Sequence, residues 1–140
     1  MSDDGKTLNE ALLRAVARRL GSLTLVDSVS VFPRTKPESV VATLDTVYYP
    51  DTVETAVLEV RAYVNDDFHV TYREDWGGDE WMCRWDRHDN PHNERDHFHH
   101  PPAARTTDAT DRDYPTELTS LLKHVLSEVD TRIGAVWETA

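Results

Sequence analysis

A chain of 140 residues suffices for one domain, 1–140, with its own core, and its single cysteine, Cys83, excludes an internal disulfide. Asp and Glu total 26 against 15 Lys and Arg, a net charge of −11 that repels nucleic-acid phosphate over about 10 Å in 0.1 M salt but over only about 3 Å in molar salt. This acidic, lysine-poor composition fits a salt-adapted, halophilic cytoplasm; with no apolar run near the roughly 18 residues of a membrane span and an acidic start, MSDDGKTLNE, unlike a secretory signal, a cytoplasmic protein without membrane contact is expected.

Thr7 and Glu10 have capping-box spacing, and Leu8, Ala11, Leu12, Ala15, Val16 and Leu20 predict a short amphipathic helix that Gly21 ends. Leu23 to Val31 and Val40 to Tyr49 are β-branched segments parted by the Pro-containing stretch Phe32 to Ser39, and predict two strands. Three runs of period two follow. Ala56, Leu58, Val60, Ala62 and Val64 alternate with more polar neighbours, as do Phe68, Val70 and Tyr72, then Trp81, Cys83 and Trp85. Cys83 thus reads as a buried small hydrophobe and not a nucleophile. Leu118, Leu121, Leu122, Val125, Leu126, Val129, Ile133, Val136 and Trp137 form one stripe of a long helix, with Pro115 where a first turn tolerates it. The fold class is therefore α+β: an N-terminal helix, an antiparallel β-meander of about five strands, and a long C-terminal helix packed on the sheet's apolar face. A long His-rich loop, at about 87–113, is expected to separate sheet from helix, with 103–113 mobile.

Keeping apolar residues on one face sets an expected register. Asn65-Asp66-Asp67 would close one hairpin with Val64 opposite Phe68, and Asp75-Trp76-Gly77-Gly78 the next with Tyr72 opposite Trp81 and Arg73 opposite Glu80. On the polar face this aligns Tyr63, His69 and Arg84 in one row and sets Glu59 opposite Arg73. Such a face is either an ordinary solvated surface or the floor of a site roofed by the loop that follows. The sequence contains no Gly-rich phosphate loop, nucleophile elbow, paired-cysteine zinc motif or internal repeat, which disfavours nucleotide-dependent and hydrolase-type enzymes.

Five of the seven histidines, His88, His92, His97, His99 and His100, lie between Cys83 and Pro102. They suit three roles. Imidazoles titrate near neutrality and so handle protons. His97 and His99, two apart on an extended segment, could instead bind a divalent metal such as zinc, with His92 or Asp96 as third ligand and a water in the open position. The cluster could also be structural, and His69 a cross-strand filler, in a non-catalytic protein-interaction module.

Arg84-Trp85-Asp86, Asn90-Pro91-His92 and His97-Phe98-His99-His100 resemble, in order and neighbourhood, the motif of the TumE-type toxin family of toxin–antitoxin pairs. The resemblance covers about Glu54 to Pro102. It implies a growth-inhibiting toxin acting on RNA, neutralised by a small antitoxin encoded nearby. On that reading the chain is a metal-independent ribonuclease that needs no cofactor. Cleavage through the 2′-hydroxyl requires a base, an acid and a cation for the phosphate charge. His99 and His97 are then the expected acid–base pair, Arg84 the phosphate clamp and Asp86 an orienting carboxylate, with His92, His100 and His69 in support.

Overall fold

The computed structural model describes residues 7–33, 38–90 and 94–139. Helix α1 (Glu10–Gly21) precedes strands β1 (Val26–Phe32), β2 (Ser39–Leu44), β3 (Thr55–Ala62), β4 (Phe68–Asp75), β5 (Glu80–Arg87), β6 (Asp96–His99) and β7 (Ala109–Asp111), and α2 (Leu118–Thr139) closes the chain. The strands form one antiparallel sheet in chain order, so the α+β class holds while the strand number is seven, not about five.

The sheet's apolar face is covered by both helices. Leu13, Val16 and Leu20 of α1 and Leu121, Val125, Val129 and Val136 of α2 pack in one core with Leu58, Val60, Val70, Tyr72, Trp85 and Phe98. At roughly 1.5–3 kcal/mol for each fully buried large apolar side chain, this layer supplies most of the drive to fold. Cys83 lies in it, and burial first, then the charges of Glu128 and Glu74, push its thiol up to about 12. The helix α2 is also fixed by charge. Arg132 donates to both oxygens of the fully buried Glu74, at 2.7 and 3.0 Å, and the same carboxylate accepts from the Tyr72 hydroxyl and the Trp76 indole.

Several local expectations are corrected. Asn9, not Thr7, caps α1, its side chain accepting the Leu12 N–H, because residues 7–9 run beside the end of β3: Thr7 O accepts from Val64 N and Ala62 O from Asn9 N. The second predicted strand stops at Leu44, where Asp45 accepts the Val47 N–H and starts a 3-10 turn at Thr46–Tyr48. Both hairpins differ in register from the expected one. Asp66 takes a left-handed φ of 72° and makes Val64-Asn65-Asp66 a three-residue loop, so Ala62, not Val64, faces Phe68. Gly77 and Gly78, at φ 80° and 116°, occupy the tip of the next turn, and Tyr72 faces Cys83 instead of Trp81. A shift of two keeps every side chain on its face but changes its partner. His69 therefore sits between Arg61 and Asp86, Thr71 sits opposite Arg84, and the expected Tyr63–His69–Arg84 row and the Glu59–Arg73 and Arg73–Glu80 pairs do not form.

The long loop is also broken up. Within 87–113, β6 pairs with β5 and β7 with β6, and 103–113, expected to be mobile, holds β7 and a 3-10 turn at Thr106–Asp108. A partly buried ion pair pins β6. Arg87 donates to Asp96 Oδ1 at 2.7 Å and Oδ2 at 3.0 Å, and to the carbonyls of Tyr114, Pro115 and Thr116 leading into α2.

Candidate active site

Strand alternation sends Trp85 and Arg87 toward the helices and Arg84 and Asp86 to the opposite, polar face. The register then sets His69 of β4 and His97 of β6 on either side of Asp86, and His99 beside Arg84. Asp86 has no exposed surface, yet its carboxylate is ringed by imidazole and guanidinium nitrogens. Its Oδ1 lies 3.0 Å from His69 Nδ1 and its Oδ2 accepts from Arg84 Nε at 2.9 Å. The Nε2 atoms of His99, His88 and His97 lie 2.9, 3.6 and 3.7 Å from Oδ2. Burial alone raises a carboxyl's pKa, but the hydrogen bond and charge of His69 and the charge of Arg84 outweigh it and hold Asp86 well below the usual carboxylate range.

The ring nitrogens follow from their partners. An ionised carboxylate only accepts, so His69 Nδ1 carries the proton toward Asp86 and its Nε2 is left as an acceptor. His97 Nδ1 faces the carbonyls of Glu94 and Arg95 at 3.1 and 3.2 Å, and His99 Nδ1 that of Arg105 at 3.3 Å; carbonyls also only accept, so both Nδ1 atoms donate. His99 Nε2 is fully buried and, though close to Oδ2, is out of line for a hydrogen bond and meets no other partner among the described residues. Burial, against the pull of Asp86, lowers the His97 pKa below the usual imidazole value.

Access divides the cluster. A groove of about 380 Å³ lies on the polar face, lined by Glu59, Arg61, Tyr63, His69, Thr71 and Arg84. The side chains of His69, Arg84 and His88 are about one-third exposed, at 33, 32 and 32 %, whereas those of His97 and His99 are 2 and 4 % exposed. The first set meets solvent and the second backs the carboxylate. Another cavity, of about 300 Å³ between the helices, has Leu12, Ala62, Phe68 and Leu118 in its wall and no histidine among its lining residues.

Residues 12–133, from α1 through α2, match the family model described as Toxin TumE. The chain belongs to this toxin family. No curated protein and no solved structure gives a significant match. The family of toxin–antitoxin toxins inferred from Arg84 to His100 thus extends over nearly the whole fold, and among the described residues no helix is long and apolar enough to cross a membrane.

Of the site residues expected from sequence, His69, Arg84, Asp86, His97 and His99 are brought together. His100 is not: its ring packs on Phe98, on the helix-covered face, and its Nε2 bonds Thr110 Oγ1 at 2.8 Å. His92 lies outside the described residues. Asp96, a possible metal ligand by sequence, uses both oxygens on Arg87 and one also on the Tyr114 N–H. The cluster includes His88, to which no specific role was assigned. Its position two residues after Asp86, on the same strand face, is a signal that period two already contains.

Proposed function

We propose that this toxin arrests growth by cleaving RNA at the Asp86-centred cluster, with the groove beside His69 as the substrate site. The observation that carries the reading is the His69–Asp86 pair: the carboxylate orients the ring so that a basic Nε2 stands at a groove shared with Arg84. His69 Nε2 takes the proton of a 2′-hydroxyl, and that oxygen forms a bond to the adjacent phosphorus. The phosphorus–O5′ bond breaks, and the leaving oxygen takes a proton from His88, whose ring centroid is 5.2 Å from that of His69. The products are a 2′,3′-cyclic phosphate and a 5′-hydroxyl. Arg84 neutralises the charge that builds on the phosphoryl oxygens. His97 and His99, too buried to touch a polymer, support Asp86 from behind. A small antitoxin encoded beside the toxin silences it by covering the groove, and the pair works in a salt-rich cytoplasm.

The test is induced expression of wild type, His69→Ala and Arg84→Ala, with the ends of cellular RNA mapped after induction. Wild type should arrest growth and leave cyclic-phosphate and 5′-hydroxyl ends, and each variant, at equal soluble level, should lose cleavage by about 100-fold or more. Arrest without such ends, or arrest undiminished in His69→Ala, overturns the RNA reading and favours a toxin acting through protein contacts.

A further inference from the structure

The inner half of the cluster sets a problem that the groove chemistry does not address. With its proton on Nδ1, a neutral His99 ring turns the lone pair of Nε2 onto Asp86 Oδ2 at 2.9 Å, two buried acceptors in contact. His97 repeats the arrangement at 3.7 Å. Something positive belongs between these atoms. A proton on Nε2 would serve only if it pointed at the oxygen, and the His99 ring is out of line for that.

We propose that Asp86 Oδ2, His97 Nε2 and His99 Nε2 bind one divalent transition metal, zinc first, which clamps β6 onto β5. The three atoms lie within 4.8 Å of one another and all three residues are buried. Zinc bonds of about 2.0–2.1 Å in a tetrahedron set ligand atoms about 3.3 Å apart, between the 2.9 and 3.7 Å found from Oδ2 to the two rings. Two imidazoles and a carboxylate suit zinc and its transition-metal neighbours, not magnesium or calcium, which take oxygen ligands. Each imidazole also donates its far N–H to a backbone carbonyl, the support that orients metal-binding histidines. A water takes the fourth position, as in zinc sites with three protein ligands. Arg84 uses one lone pair of Oδ2 and leaves the other, while Oδ1 stays with His69, so the groove side is unchanged. Of the sequence-based ligands, His97 and His99 belong to this set, joined by Asp86.

This inference does not depend on RNA cleavage. Metal-stripped full-length chain would be titrated with zinc by calorimetry and with cobalt(II) by visible absorption, and melted with and without zinc. One equivalent should bind, the cobalt complex should have the intense bands of a tetrahedral nitrogen–oxygen site, and zinc should raise Tm. His97→Gln and His99→Gln should each weaken binding by at least about 100-fold and lose the Tm rise, while His100→Ala stays within about threefold of wild type. If the Gln variants fail to fold, the wild-type stoichiometry, spectrum and Tm shift carry the test. No stoichiometric binding, no Tm shift, or weakening by His100→Ala equal to that by His99→Gln overturns the proposal. Growth arrest by a chain that binds no metal overturns this inference and leaves the RNA reading standing; stoichiometric metal in a chain that arrests nothing does the reverse.

Discussion

Asp86 is ionised with no exposed surface because strand register delivers its partners from three strands: His69 from β4, Arg84 from its own β5, and His97 and His99 from β6. Its role toward His69 is to fix a tautomer. In Asp86→Asn the side chain keeps one acceptor and gains an NH2 that meets the N–H of either His69 or Arg84, and the Nδ1–H form of His69 loses its advantage. Cleavage should fall by at least about 100-fold and stability by about 1–3 kcal/mol. Histidine ¹⁵N shifts at pH 8 check the cause: wild type should give His69 an unprotonated Nε2, and the variant a mixture. An unchanged tautomer with activity lost would mean that Asp86 acts through packing alone. Each residue of this group except His88 was named from sequence for a role at the site. Their mutual placement was not legible, since it depends on a two-residue register set by Asp66 and the Gly77-Gly78 tip, where several turns satisfy the same alternation.

At the scale of elements, β3, β4 and β5 were readable because eight-residue strands express period two, and α2 because 22 residues express its stripe. The strands β6 and β7 have four and three residues, too few for any period to be seen. What makes Asp96–His99 a strand is non-local: Arg87 holds Asp96 and the chain entering α2, and the Tyr114 hydroxyl donates to His97 O at 2.6 Å. Arg87→Ala leaves Asp96 without its main partner and three backbone carbonyls short of a donor, a loss of about 3–5 kcal/mol expected from urea unfolding. Because β6 presents His97 and His99, zinc binding should weaken too, even in the fraction that stays folded. A cost below about 1 kcal/mol would show that sheet pairing alone holds β6, and that Arg87 is dispensable to the site.

For the whole molecule, the charge of −11 and the chemistry of the site pull in opposite directions. Self-repulsion among surface carboxylates disfavours the compact state, and it also opposes the approach of RNA to a groove whose basic residues are Arg61, Arg84 and the titratable His69. Salt relieves the first effect, because the screening length shrinks from about 10 Å to about 3 Å between 0.1 and 1 M. Buried pairs such as Asp86 with Arg84 and Glu74 with Arg132 are far less screened, so the core and the inner site keep their attractions while the surface loses its repulsions. Stability should therefore rise with potassium chloride. Between 0.1 and 2 M, Tm should increase by several degrees, since about 1 kcal/mol moves Tm by roughly 2–8 °C for domains in the 60–250-residue range. Calorimetry in potassium chloride, with sucrose at matched osmolality as control, separates screening from general exclusion of solute. A rise in salt alone supports a chain built for a saline interior. A flat or falling Tm would mean that attractive surface pairs such as Arg95 with Asp67, at 2.6 Å, outweigh the repulsion, and that the acidic composition belongs to an ordinary low-salt protein.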